Sequence, residues 1–137
     1  MLKRIHELLN ERADFAFETT LSTRSYVSLI KEAHQCNYKV TLLFFWLSSP
    51  QIAFQRVAKR VSEGGHNIPI DIIERRYFRG IKNLLKLYVS ICEKWFIINN
   101  VGVNSTIIAE GGAKMEKVII NRDIWEIILT QYDGSST

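Results

Sequence analysis

The sequence predicts a single α/β domain. Two apolar stretches, Lys39–Leu47 and Lys94–Asn99, are rich in β-branched and aromatic residues, as the buried strands of a parallel sheet are. Between them lies a long region whose apolar residues recur at helical spacing. Strands and helices that alternate in this way form a sandwich in which helices cover both faces of a mostly parallel sheet. The 137 residues, 47% of them hydrophobic, suffice for the core of one domain.

Three elements are predicted before the first apolar strand. Residues 2–11 form a helix that has no capping residue before it, because only Met1 precedes it. Residues 14–18 form a short strand. A turn of hydroxyl-bearing residues then leads to a helix with Ser22 as its N-cap, and Asn37 ends that helix.

Two helices joined by a turn are predicted between the apolar strands, and together they occupy about residues 50–92. Ser49 caps the first helix and Pro50 takes its first helical position. The glycines at 64–65 supply the positive φ that ends this helix, and the second helix starts near Pro69.

The last part of the chain is predicted to hold two strands and a helix. Residues 105–109 form one strand, and the glycines at 111–112 turn the chain. Residues 117–120 pair back as an antiparallel strand, and residues 122–131 form a helix. No composition shift or repeat divides the chain into domains.

The positive charge of the protein is concentrated in the predicted helix pair. Residues 56–86 hold eight Lys or Arg against three Asp or Glu, a net of +5, whereas the other residues hold ten against eleven, a net of −1. Guanidinium groups bind phosphate oxygens in pairs, and a glycine turn can let a segment close over a ligand. The pattern favours an anion with several oxygens, although a solvated basic hairpin has the same composition.

The string RVAKRVSEGGHNIP, followed by IIERRYFRGIKNLLKLY, resembles the lid region of the zeta-toxin-like P-loop kinases, which include bacterial proteins described as predicted ABC-type ATPases. The resemblance implies a P-loop kinase-like three-layer sandwich. It also implies a kinase that transfers a phosphoryl group from ATP, with Mg²⁺, to a hydroxyl, for which a UDP-activated amino sugar is the precedent. An antitoxin protein is an implied partner.

A second stretch, ETTLSTR from Glu18, resembles the Glu-Gly-Thr-Leu-Arg segment with which zeta toxins hold the sugar nucleotide. Threonine replaces the usual glycine at position 19 and Ser22 replaces the usual arginine, so Arg24 is the candidate replacement cation. The resemblance therefore implies substrate binding by Glu18, Thr20 and Arg24. The alternative for Glu18 is a carboxylate that caps the next helix.

In the lid, the resemblance implies arginines that neutralise charge on the phosphoryl group during its transfer. Arg60 and Arg76 are the first candidates for this catalytic role. A nucleotide-binding role in the lid is expected of three further arginines, Arg56, Arg75 and Arg79. The same role is expected of His66 in the glycine turn, where this histidine could instead hold the turn. No cluster has metal-ligand spacing, so no metal site is predicted.

The sequence contains no G-x-x-x-x-G-K-[ST] segment, the loop that holds the phosphates in P-loop enzymes. The resemblance covers only the later part of the family's domain, so the fold is expected to be incomplete at its N-terminus and the chain inactive alone. The family's first strand would lie between residues 14–18 and the strand ending at Leu47. We expect the gap to be closed by re-paired strands, to recruit a second copy as a homodimer, or to leave the chain marginally stable.

Other features limit the class of protein. Cys36 and Cys92 show no paired spacing, which indicates reduced thiols and a cytoplasmic protein. No apolar run approaches the roughly 18 residues of a membrane helix, and the N-terminus lacks a signal-peptide pattern. A different class of function also fits the charge: a non-catalytic anion-binding module for nucleic acid, which is the less favoured partner, or for an acidic protein.

Overall fold

The structure, a computed structural model, describes residues 2–135. The elements in chain order are α1 (Leu2–Asn10), α2 (Tyr26–Gln35), β1 (Thr41–Trp46), α3 (Pro50–Ser62), α4 (Ile70–Asn83), β2 (Lys94–Asn99), β3 (Thr106–Gly112), β4 (Met115–Ile119) and α5 (Arg122–Ser135). The helix α4 continues into one π-helical turn, Leu84–Tyr88, which the Val89 N–H closes by donating to the Leu84 carbonyl at 3.0 Å. The α/β class is confirmed.

The four strands form one sheet in the order β1-β2-β3-β4. Only β1 and β2 run parallel, and β3 and β4 are each antiparallel to their neighbours. The predicted antiparallel return of the last strand is confirmed, but a mostly parallel sheet is not. The reason lies in the connections, since parallel strands need a crossover of a dozen or more residues and only β1 and β2 are joined by one.

The buried core lies on one face of the sheet. Trp46, Trp95, Ile97 and Ile108 point from the strands into a cluster with side chains of the helices. On the other face, Leu43 and Phe45 remain 50% and 52% exposed. The sequence predicted helices on both faces, whereas the described residues place them on one. The apolar run in β1 led to the wrong prediction of helices on both faces, because its composition does not show which face of the strand is covered.

The predicted strand at 14–18 is not formed. Residues 13–22 run without strand pairing, and the segment is attached through side chains instead. The Tyr38 hydroxyl donates to the Ala13 carbonyl at 2.8 Å, and the Phe15 ring meets the Tyr38 ring edge-on at 5.9 Å. A cavity of about 200 Å³ separates this segment from residues 39–42 at the start of β1. Within the described residues no re-pairing closes the gap, and β1 is an edge strand.

Most helix boundaries agree with the sequence predictions. Pro50 opens α3, α4 follows Pro69, and Gly64 takes a φ of 98° just after α3 ends. Ser22 is not the N-cap of α2, because that helix begins later and Ser25 precedes it. The Ser22 hydroxyl lies 2.8 Å from the Thr20 hydroxyl instead.

The glycines at 111–112 do not turn the chain, since they belong to β3. A Cβ atom at Gly111 would come within 2.7 Å of the Trp95 ring. The glycine therefore leaves room for the indole of the neighbouring strand, and the hairpin turns at 113–114.

Candidate functional site

A hydrogen-bond network fixes the chain where β1 ends. The Tyr77 hydroxyl of α4 donates to the Leu47 carbonyl at 2.6 Å. The Gln131 amide of α5 donates to the Ser48 carbonyl at 3.1 Å and accepts a bond from the Trp46 indole N–H at 3.0 Å. Burial raises the pKa of Tyr77 to about 12. These bonds hold the loop that enters α3 against two helices.

The segment Thr19–Ser22, here called the threonine loop, lies directly against α4. A Cβ atom at Gly80 would come within 2.6 Å of the Thr20 carbonyl oxygen, so only glycine permits this approach. The buried Asn83 amide donates to the Leu21 carbonyl at 2.7 Å. Leu21 has a φ of 58°, which is unfavourable for a branched side chain, yet it is 4% exposed. The packing on α4 therefore imposes the loop conformation.

Two of the predicted arginines stand on the part of α4 that carries this contact. Arg76 precedes Gly80 by one helical turn, so the two lie on the same face, and Arg79 is adjacent. Both arginines are exposed, as are Glu18 and Thr20. The structure thus places the threonine loop against the helix that carries these arginines, although the two segments are more than 50 residues apart in sequence.

The helix α3 carries two more of the predicted arginines, Arg56 and Arg60. The Arg56 guanidinium donates from Nη2 to the Asn100 carbonyl at 2.7 Å, which attaches α3 to the end of β2. Arg60 lies one turn further along and is exposed. Its carbonyl accepts the Gly65 N–H at 2.7 Å, and a Cβ atom on Gly65 would meet the same carbonyl at 2.9 Å. The glycine turn is therefore tight.

The remaining predicted residues are all exposed. Arg24 precedes α2, Arg75 lies on α4, and His66 lies in the glycine turn. Within residues 2–135 most of the predicted side chains form neither an ion pair nor a side-chain hydrogen bond; this holds for Glu18, Arg24, Arg60, His66, Arg75, Arg76 and Arg79. Glu18 does not cap α2, so the alternative assigned to it is not supported.

No group of three or more His, Cys, Asp or Glu side chains in the described chain is arranged to hold a metal ion. His34 instead pairs with Glu93, its Nε2 lying 2.6 Å and 2.9 Å from the two carboxylate oxygens. The same carboxylate accepts the Val40 N–H at 3.0 Å, so this pair connects α2 to both parallel strands. Both cysteines are free, and burial raises the pKa of Cys92 to about 11.

Sequence reasoning did not identify Gly80 and Asn83 as the residues that position the threonine loop. A signal was present, because Gly80 is an isolated glycine inside the second predicted helix of the pair. An isolated glycine within a helical pattern often marks a close packing contact. What the sequence could not indicate was the partner, which lies about 60 residues earlier.

None of the helices within residues 2–135 has the length and apolar character needed to cross a bilayer. Tyr38 and Tyr88 have pKa values raised chiefly by burial, and their hydroxyls donate to backbone carbonyls of the N-terminal segment. Both side chains are therefore structural.

Comparison with known proteins supports the resemblance to the zeta toxin family. The chain is 32% identical over 72 residues to an uncharacterized protein of Haemophilus influenzae, a match that covers 53% of this chain and 51% of that protein. The match thus spans about half the length of the curated relative. No solved structure matches the chain. The family model for zeta toxin matches residues 2–109, from α1 into β3, and the chain therefore belongs to the zeta toxin family.

Proposed function

We propose that this chain is the lid and substrate-binding portion of a zeta-toxin-like ATP-dependent phosphotransferase. The enzyme would phosphorylate a hydroxyl group, and a UDP-amino sugar is the candidate substrate that bears this hydroxyl. The observation that carries the proposal is the contact between the threonine loop and α4. It holds the loop that carries Thr20 against the helix that carries Arg76 and Arg79, and all three side chains are exposed.

In this proposal Arg60 and Arg76 neutralise the phosphoryl group, and one stands on each lid helix. Glu18, Thr20 and Arg24 bind the acceptor substrate. The other lid residues, Arg56, Arg75, Arg79 and His66, contact the nucleotide. The arginines suit the task because their guanidinium groups are exposed and always charged.

The residues present fit a nucleotide phosphate better than a metal. Exposed guanidinium groups on α3 and α4 can each donate two hydrogen bonds to phosphate oxygens. The described residues offer no carboxylate cluster for Mg²⁺. When bound, ATP and Mg²⁺ supply the phosphoryl group and the charge that shields it. Residues 1–137 contain no P-loop sequence, so we propose that the chain is inactive on its own.

Nucleotide binding tests the proposal. We expect a fluorescent ATP analogue to bind the chain saturably and binding to weaken at least tenfold in Arg60→Ala and in Arg76→Ala. Arg122→Ala is the matched control, since Arg122 is also exposed but lies on α5. Circular dichroism would verify that each variant is folded. Equal weakening in all three variants, or no binding by the parent chain, would contradict the assignment.

A second candidate function follows from the same charge cluster. A non-catalytic module could use the basic surface of α3 and α4 to bind nucleic acid or an acidic protein. Binding to DNA or RNA should then fall steeply with salt, with a slope that reports several phosphate contacts. We propose the cytoplasm as the compartment and an antitoxin as the protein partner. An antitoxin that covers the threonine loop would compete with the ATP analogue.

A further inference from the structure

The Gln131 side chain of α5 joins the end of β1 to α4. Its Oε1 accepts a hydrogen bond from the Trp46 indole at 3.0 Å, and its Nε2 donates to the Ser48 carbonyl at 3.1 Å and to the Tyr77 hydroxyl at 2.9 Å. Because an indole N–H can only donate and a carbonyl can only accept, these partners fix which way the amide faces. Trp46 is 3% exposed, so its N–H needs this acceptor.

Two consecutive backbone carbonyls receive the other hydrogen bonds of this network. The Ser48 carbonyl accepts from Gln131, and the Leu47 carbonyl accepts from the Tyr77 hydroxyl at 2.6 Å. Tyr77 therefore gives its proton to Leu47 and receives a proton from Gln131, so the direction of each bond is fixed. We call residues 47–49 the hinge, since they connect β1 to α3.

The hinge determines how α3 leaves the sheet. Only Ser49 separates the Ser48 carbonyl from Pro50, the first residue of α3, and proline restricts φ to one narrow range. The Ser49 side chain makes no capping hydrogen bond, and α3 buries none of its residues. Beyond the hinge, α3 is attached by contacts with α4 and by the hydrogen bond from Arg56 to Asn100. The direction of α3 therefore depends on where the hinge is held.

We propose that Gln131 is a positioning residue for the two helices that carry the candidate arginines. Through the hinge it sets the direction of α3, and through Tyr77 it ties that direction to α4. Arg60 on α3 is thereby held in a fixed relation to Arg76 on α4, which adjoins Tyr77 in the chain. The consequence for a ligand rests on the proposed function, in which both arginines bind the same phosphoryl group.

The hinge becomes more important when a nucleotide is bound. In the proposed function Arg56 contacts the nucleotide, and a guanidinium that turns towards phosphate oxygens loses its bond to the Asn100 carbonyl. The hinge and the contacts with α4 then hold α3 without that bond. Gln131 would thus keep α3 in place at the moment when the lid engages its ligand.

A purely structural role for Gln131 makes a different prediction. In that case the amide serves only the buried Trp46 N–H, and any acceptor at position 131 would replace it. Gln131→Glu separates the two roles, because a carboxylate has a similar size and still accepts from Trp46 but cannot donate to the Ser48 carbonyl. The carboxylate also competes with Leu47 for the Tyr77 proton. This variant therefore releases the hinge and keeps the Trp46 bond.

Residual dipolar couplings of the backbone amides test the proposal, because they report how helices are oriented relative to one another. In the parent chain we expect one alignment to fit α3, α4 and α5. In Gln131→Glu the couplings of residues 50–62 should depart from the alignment that still fits α4 and α5. Gln35→Glu on α2 is the matched control, since it makes the same change of charge at an exposed glutamine and should leave every helix on one alignment.

Tyr77→Phe is a second variant that keeps the aromatic ring and removes only the bond to Leu47 and the acceptor for Gln131. It should also shift the couplings of α3, although less than Gln131→Glu does, because the Ser48 bond remains. Urea denaturation would verify that both variants fold. If α3 kept its orientation in both variants, the proposal would be overturned whether or not the chain binds a nucleotide.

The fluorescent ATP analogue measures the consequence for the ligand. Its affinity should fall about fivefold or more in Gln131→Glu, because binding groups that are misplaced lose much of their effect. An unchanged affinity, in a chain whose Arg60→Ala variant binds weakly, would overturn the positioning role. If the parent chain does not bind the analogue, the proposed function fails, and the dipolar couplings alone decide whether Gln131 orients α3.

Discussion

Helices α3 and α4 carry similar charge but are attached to the protein in different ways. α3 buries none of its residues and is tied to the sheet through the Arg56 hydrogen bond. α4 buries Ile73, Gly80, Ile81 and Asn83 against the core and the threonine loop. One set of arginines thus stands on a fixed platform, while the other stands on a helix that can shift without opening the core. The lid role that we propose would use both properties, because a fixed half positions the ligand and a movable half closes over it.

Truncation of apolar side chains gives the largest contrast between the helices. Ile81 is fully buried on α4, so Ile81→Ala should lower the free energy of unfolding by about 2–5 kcal/mol. Val57→Ala on α3 should lower it by less than about 1 kcal/mol, since Val57 is only partly buried. Urea denaturation measures both. Similar losses would show that α3 is as integral to the core as α4, and the comparison would fail.

The contact between α4 and the threonine loop provides the next test. Gly80→Ala places a Cβ atom 2.6 Å from the Thr20 carbonyl oxygen, and this close contact should cost about 1–3 kcal/mol and displace the loop. Gly102→Ala is the control, because no atom lies within 4 Å of the added carbon. Denaturation gives the stability, and amide chemical shifts of residues 19–22 report the displacement. A neutral Gly80→Ala would mean that the loop is not held by α4.

The smallest expected effect concerns the tyrosine that joins α4 to the end of β1. The pKa of Tyr77 is about 12 in the folded chain and about 10 when unfolded, so the folded state binds this proton more tightly. Its contribution is complete below pH 10 and is lost as the pH rises towards 12. We expect a loss of about 1 kcal/mol, since solvent screens this partly exposed group.

Tyr77→Phe is the matched variant for this test. The stability of Tyr77→Phe should fall less steeply than that of the parent chain between pH 10 and 12. Urea denaturation at several pH values measures the difference. Parallel stability curves would contradict the raised pKa and the buried attachment that causes it.

Local signals were sufficient for the elements that have local causes. The strand Lys94–Asn99 was predicted with its observed limits, and the glycine turn between α3 and α4 follows from chemistry within a few residues. The prediction of a strand at 14–18 was wrong because a strand forms only where another strand supplies hydrogen bonds. Composition cannot identify that partner strand. The covering of only one sheet face is non-local in the same way.

The candidate site shows the same limit. Charge clustering and the resemblance selected the arginines, and the resemblance located the threonine loop. The contact that unites the loop with α4 depends on Gly80, whose meaning as a packing position appears only when both segments are in place. The roles of the arginines remain predictions for the binding experiment.

The π-helical turn after α4 has an evolutionary consequence. A π turn corresponds to one residue added to an α-helix, and here it falls between the arginine-bearing segment and Tyr88, whose hydroxyl donates to the Thr23 carbonyl. If residues 84–88 closed into regular α-helix without the loss of a residue, the upstream face would turn by about 100° relative to Tyr88 and Gly80 would no longer meet the threonine loop. Deleting one residue from this stretch would instead restore regular α-helix with both faces still aligned. Single-residue deletions here should consequently be tolerated better than single-residue insertions.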